Sequence, residues 1–308
     1  MLICDWSIPR LAQDQAATAG DLWLDFTTGA LPAQVIWARG SEASCFDAAG
    51  RIVTRPAGAA RFDHDPVTRA ALGVLVEPTA TNLLAQSAIA APGWTLSGAT
   101  MTALSLAALG VFAGASVVSA GASWHRAMQN FAVTAGVAYA VTLFYRPGSS
   151  GKMTVILKHN ASSLSSNIEG AIGGLAVTAT AAGALAGLEE RVLADGVTRR
   201  LRVVFASGVS GTLSLGAGPF SAVAGQDVIL LGAQVEAGTS ASAYIATAGS
   251  LQARAADRPG LTGITGRHDV TLRYGDGTQE TLPAQIVSEG YWPELSRSDL
   301  AAIGLSPR

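Results

Sequence analysis

Three groups of side chains stand where their types and spacing would allow chemistry. The first is Asp63-His64-Asp65, an imidazole between two carboxylates, which by type are metal ligands or an acid–base set. Neighbours on an extended chain point to opposite sides, so the three converge only at a sharp turn. A turn braced by Asp side chains bonded to backbone amides accounts for them better. The second is Glu189-Glu190. A glycosidase needs two acids facing each other across the scissile bond, roughly 5 to 9.5 Å apart, whereas adjacent strand residues project to opposite faces. The third group is dispersed: Trp94, Trp124, His125, Tyr145, Arg146, Lys158, Asn160, Gln234 and Glu236. Sugar binding needs a flat aromatic surface for the apolar face of a pyranose and a few fixed polar groups in a concave site. Trp124, His125, Tyr145, Gln234 and Glu236 are the candidate carbohydrate contacts. Each also has a plainer reading, since a Trp is commonly core and a Gln or Glu at a strand end is commonly solvated or bonded to loop backbone. Neither a G-x-S-x-G elbow nor a G-x-x-x-x-G-K-[ST] loop occurs. The expectation is a non-enzymatic protein with no metal site and no cofactor.

These side chains must be positioned by strands. Asp227–Glu236 alternates with the two-residue period of a strand: Ile229, Leu231, Ala233 and Val235 fall on one face, and Val228, Leu230, Gln234 and Glu236 on the other. Tyr139, Val141, Leu143 and Tyr145 alternate with Ala140, Thr142, Phe144 and Arg146 before the breaker Pro147-Gly148. Met153, Val155 and Leu157 repeat the pattern. Asp195-Gly196 is a two-residue hairpin cue, and on its second arm Leu201, Val203 and Phe205 face away from Arg200 and Arg202. Leu213 and Leu215 mark another short strand. Short strands at roughly ten-residue spacing predict an all-β protein, a β-sandwich or jelly roll.

Composition agrees. Only 14% of the 308 residues are charged, against about 25% in ordinary soluble domains, and Gly numbers 35. A net charge of −2 gives no electrostatic case for nucleic acid, and no Lys/Arg cluster addresses an anionic membrane. Cys4 and Cys45 form no close metal pair and read as buried free thiols. The N-terminal residues do not resemble a signal peptide. Two uncharged stretches, Pro92 to His125 and Gly170 to Leu188, are long enough to span a bilayer. Their Gly, Ala, Ser and Thr content reads instead as short strands and loops.

The chain divides into three parts. Residues 1–80 form a small β-rich attachment or oligomerisation region. It holds a strand at Leu22–Phe26, a hairpin of Ser44–Phe46 with Arg51–Thr54, an Asp65-Pro66 turn and a strand at Gly73–Glu77. Trp6, Trp23 and Trp37 there are expected at a subunit interface or a local core. Residues 81–257 form the sandwich. Residues 258–308 form a hairpin around Gly275-Asp276-Gly277 and then a short helix, Ser296–Gly304, capped by Ser296 or Ser298 at its start and by Gly304 at its end.

The run CFDAAGRIVTRPAGAARFDHDPVTRAALGVLVEPTATNLL resembles a segment of tail-fibre and spike-like proteins of bacteriophages and prophages. There a hairpin leads into an R-F-D-H-D-P turn, a strand, and the start of the next domain. The runs HRAMQNFAVTAGVAYAVTLFYRPG and ILLGAQVEAGTSASAYIATAGSLQARAAD resemble an earlier strand pair and the closing strand of the jelly roll that follows in those proteins. The same domain style occurs in the spikes of gene transfer agents, which are phage-like particles. The resemblance covers about residues 40 to 257. It implies a carbohydrate-binding-module-like jelly roll on a virion surface, made in the bacterial cytoplasm, whose partners are host capsular or surface polysaccharide and other virion proteins. It also implies a homo-oligomer, a trimer in fibres or a pentamer at a capsid vertex. Three classes follow: an adhesive spike or fibre, a structural spike base or adaptor without glycan binding, and a polysaccharide-degrading tailspike. The last normally uses a repetitive scaffold, and no such repeat is present.

Overall fold

A computed structural model describes residues 20–89, 92–106, 108–122 and 124–308. Cys4 and Trp6 lie outside these residues. All regular structure among the described residues is β, and no helix there is long and apolar enough to cross a membrane. Short strands come first: β1 (Leu22–Asp25), β2 (Val35–Ala38), β3 (Ala43–Phe46), β4 (Ile52–Arg55), β5 (Phe62–His64), β6 (Ala71–Leu75) and β7 (Ala80–Asn82). The sandwich strands follow: β8 (Thr95–Ser97), β9 (Ala99–Ala103), β10 (Ala115–Ser119), β11 (Arg126–Val133), β12 (Ala138–Arg146), β13 (Lys152–His159), β14 (Ser165–Ala171), β15 (Ala176–Thr180), β16 (Gly183–Val192), β17 (Arg199–Ser207), β18 (Gly211–Pro219) and β19 (Asp227–Ala237). The chain ends with β20 (Gln252–Arg254), β21 (Arg258–Leu261), β22 (Gly266–Arg273), β23 (Gln279–Val287), β24 (Asp299–Leu300) and β25 (Ala302–Pro307).

Two six-stranded antiparallel sheets make the sandwich, in the orders β16-β17-β12-β19-β10-β9 and β15-β14-β13-β18-β11-β8. Pairing is nested: β13 with β14, β12 with β17, β11 with β18 and β10 with β19. A long hairpin ribbon rolled so that successive pairs alternate between the two sheets of a sandwich gives this order. The alternation seen in the sequence is the core. Tyr139, Val141, Leu143 and Tyr145 meet Met153, Val155, Leu157, Leu201, Val203, Phe205, Leu213 and Leu215 between the sheets.

The closing strand departs from simple alternation. Phe144 pairs with Gly232 but Tyr145 pairs with Leu230, so Leu231 is an extra residue, a β-bulge. The bulge exchanges the faces. Val228 and Leu230 point into the sandwich before it, and Ala233 and Val235 after it. Ile229 and Leu231 instead join a second core outside the sheet, with Ile52, Leu109, Phe112, Phe144 and Leu193. The expected single face of Ile229, Leu231, Ala233 and Val235 is therefore corrected.

The two chain ends build one unit. β1 pairs with β25, β2 with β21, and β24 with β6, while β25 also pairs with β22 of the β22–β23 hairpin. Strands β1, β2, β5 and β6 thus share sheets with β21 to β25, around a core of Leu24, Phe26, Val74, Val270, Leu272, Leu300, Ile303 and Leu305. The short helix expected at Ser296–Gly304 is absent. That segment forms β24 and the start of β25, because its apolar residues Leu300 and Ile303 are captured by strands distant in sequence. Gly304 does not cap a helix; it lies under the Trp23 ring, where a methyl group would overlap the indole. Trp37 packs at the edge of the same core. Cys45 is a buried free thiol, and burial pushes its pKa up to about 11.

Candidate functional site

The sandwich offers two outer faces, and they differ. The face of the sheet holding β12, β17 and β19 is covered by the β3–β4 hairpin and neighbouring segments through the Phe112, Phe144 and Tyr244 ring cluster. On the other sheet, the outer face carries Trp124, which is 55% exposed.

Local sequence explains how Trp124 is held there. On β11, Ala127, Phe131 and Val133 point into the core, so Arg126, Met128 and Asn130 point out. The neighbouring strand β18 has Gly216 and Gly218 on this face. A Cβ at Gly216 would stand 2.8 Å from both Arg126 Cδ and Ile156 Cγ2. The missing side chain lets Arg126 lie flat across the sheet. Trp124 then stacks on it, with the guanidinium carbon 4.6 Å from the ring centroid and Lys158 Nζ at 5.9 Å. Arg126 forms no ion pair among the described residues, and burial lowers its pKa. One indole face is thus occupied by a cation, and the ring remains exposed. Beside it lies a polar trio: Ser214 Oγ is 2.6 Å from Asn130 Oδ1 and 2.8 Å from Asn160 Oδ1. Asn130, Ser214 and Lys158 are cross-strand neighbours in one row.

The structure separates the other candidate contacts from Trp124. His125 is buried and fully engaged: Nδ1 is 2.8 Å from the Ala122 carbonyl, and Nε2 accepts the Ser221 amide at 3.2 Å. Tyr145 is buried between the sheets, where its hydroxyl donates to Glu190; burial, then that bond, raises its pKa. Gln234 and Glu236 are brought together, both buried on the covered face. Gln234 Nε2 donates to Glu236 Oε2 at 2.6 Å, and Gln234 Oε1 accepts the Ile245 amide at 2.5 Å. Glu236 accepts the Ser242 amide at 2.9 Å and the Ser242 hydroxyl. Burial raises the Glu236 pKa. These bonds fasten the segment after β19 to the sheet. Trp94 is buried with its indole nitrogen on the Gln86 carbonyl at 3.0 Å, and Arg146 pairs with Asp195 at 3.0 Å.

The carboxylate groups behave as turns and anchors. Asp65 accepts the Val67 and Thr68 amides at 2.8 and 2.7 Å. Asp63 accepts the Phe46 amide at 2.7 Å, and His64 Nδ1 lies 3.2 Å from the Phe46 carbonyl. Glu190 points inward to Tyr145 and the Gly173 amide, while Glu189 pairs with Arg191 at 2.5 Å. Among the described residues no cluster of His, Cys, Asp and Glu is arranged to hold a metal ion.

The sequence reading missed Arg126, the support beneath the indole. Its signal was present as a cation two residues after an aromatic at a strand start, opposite glycines two residues apart on another strand. No family model and no curated protein matches the chain.

Proposed function

We propose that this chain is a non-enzymatic surface protein of a phage or gene transfer agent, a spike or fibre. In this reading it adheres to host cell-surface polysaccharide through the Trp124 face of its sandwich. The observation that carries the proposal is the exposed indole held against the Arg126 guanidinium, 4.6 Å from its ring centroid. A rigid aromatic surface held before binding loses little entropy when a pyranose ring stacks on it. Asn130, Asn160 and Lys158 lie on the same sheet face and suit the hydroxyls or anionic substituents of a glycan. The rolled ribbon, read as a jelly roll, and the resemblance of residues 40 to 257 to phage spike proteins support the virion setting, with a symmetric homo-oligomer as the assembled form.

The test is glycan-array binding of the full chain beside its Trp124→Ala variant, using capsular and lipopolysaccharide sugars. The proposal expects the variant to lose affinity about tenfold or more, which is ~1.4 kcal/mol, with an unchanged melting temperature. Equal binding by both proteins overturns the Trp124 face.

The structural reading, a spike base or adaptor without glycan binding, is favoured by a different observation. Trp23, Ile36 and Ile286 are large exposed apolar side chains on the terminal unit, the kind of surface that assembly covers. Absence of binding to any host sugar would favour it.

A further inference from the structure

A cavity of about 420 Å³ lies between the covered sheet, the β3–β5 segment and the turn Arg297–Asp299. It is distinct from the Trp124 face, which is on the opposite sheet. Its size falls within the range of small-molecule sites.

The sandwich wall of this cavity is unusual in charge. Arg200 and Arg202 point out of β17 because Leu201, Val203 and Phe205 point in. Arg200 faces Arg191 on β16 and Phe144 on β12; Arg202 faces Glu189 on β16 and Thr142 on β12. Cations on adjacent strand positions repel. Arg191 is paired with Glu189. Arg200 is only 7% exposed, and its recorded partner is the Phe46 ring, 6.0 Å from the guanidinium carbon. The side chains of Arg200 and Arg202 form no ion pair or hydrogen bond among the described residues, and Arg202 Nε and Thr142 Oγ1 are buried without a partner. The carboxylates around the cavity are engaged elsewhere. Glu77 is held by Arg61 and Arg254, Asp276 and Asp299 by Arg297, Asp65 by its turn amides, and Asp63 by the Phe46 amide.

An unpaired guanidinium removed from water is costly. Burial, and then Arg202, lowers the Arg200 pKa to about 9. An anion seated between the two guanidinium groups would supply the missing charge and accept their planar donors. The walls contributed by Phe46, Phe144 and Tyr244 are aromatic, which suits a ring more than a bare inorganic ion.

We propose that this cavity binds a hexuronate-like ligand, a sugar-sized ring bearing one carboxylate, with Arg200 and Arg202 holding the carboxylate. The carboxylate comes either from a free sugar acid or from the end of an acidic polysaccharide.

The test is isothermal titration calorimetry and thermal unfolding of the full chain with sodium glucuronate, glucose and sodium sulfate at matched ionic strength. Glucuronate should bind and raise the melting temperature, and glucose should do neither. Arg200→Met and Arg202→Met should each weaken glucuronate at least tenfold. Without ligand, Arg200→Met should melt at or above the wild-type temperature, because a lone buried charge has been removed. Arg202→Met, at a less buried position, keeps the test open should the first variant fold poorly. A glucuronate tetramer binding as well as the monomer assigns the polysaccharide source; binding of the monomer alone assigns the free acid. The proposal is overturned by no glucuronate binding, by equal binding of glucose, by sulfate binding without glucuronate, or by undiminished binding in both variants.

Discussion

Asp63 is a carboxyl group that folding makes reluctant to ionise. Burial at the cavity wall raises its pKa to about 6 from an ordinary value of 3.8. The folded chain therefore holds this proton more tightly than the unfolded chain. The resulting stability is fully present below about pH 4 and is lost as pH rises through about 6. Asp63→Asn keeps an oxygen for the Phe46 amide and removes the titration. It should flatten the melting temperature across about pH 4 to 6 and raise stability at pH 7.5 by roughly 1–3 kcal/mol. A pH series of thermal melts checks this, and an unchanged slope refutes it. Trp124 is the other residue whose environment matters more than its type. Trp94 and Trp124 look alike in sequence, yet one is buried on a backbone carbonyl and the other is exposed over a guanidinium.

At the scale of elements, the bulge in β19 decides what that strand does. With Leu231 inserted, Gly232 lies against Phe112, where a methyl group would overlap the ring. Phe112 is buried between Phe144 and Tyr244 and has no room to retreat. Gly232→Ala should cost about 1–3 kcal/mol, read as a shifted denaturant midpoint with unchanged m-value. A wild-type midpoint would mean that the ring cluster is looser than its contacts indicate. Much at this scale was legible beforehand. The alternation of Tyr139–Tyr145 and Met153–Leu157 appears where the two-residue period places it, and the hairpin at Asp195-Gly196 is present, with a longer loop than the two-residue turn expected, since the Leu193 amide bonds the Thr198 carbonyl. The bulge was not legible, because Asp227–Glu236 alternates as well through Leu231 as around it. The terminal strand β25 was misread as helix because Ser296, Ser298 and Gly304 suit the caps of a short helix, whereas the strand partners of Leu300 and Ile303 lie far away in sequence.

At the scale of the molecule, a buried charge cluster ties the chain ends to the sandwich. Arg39 pairs with Asp257 at 3.0 Å, Arg61 with Glu77 at 2.7 Å and also with Asp257, and Arg254 with Glu77 at 3.0 Å. Asp257 further accepts the Glu77 amide at 3.0 Å, and Glu77 accepts the Ala243 amide at 2.8 Å. Removing one partner of such a cluster leaves charge buried without compensation. Asp257→Asn should therefore cost about 3–5 kcal/mol, measured by equilibrium unfolding; a loss under about 1 kcal/mol would show that the cluster is solvated in solution. The participating residues were visible only as scattered charges in a weakly charged chain. By itself, the sequence determined the all-β class, the inward alternation of the sandwich strands and most hairpins, since each depends on a period or turn within about ten residues. The tertiary structure alone decided which sheet face is covered. It buries Gln234 and Glu236 beneath residues 242–245, which follow β19, packs Arg200 against Phe46 of the N-terminal segment, and leaves Trp124 open. The physical reason is distance along the chain: the β3–β4 hairpin covers the sheet because Ile52 packs with Phe144 and Leu231, and no local pattern encodes such contacts.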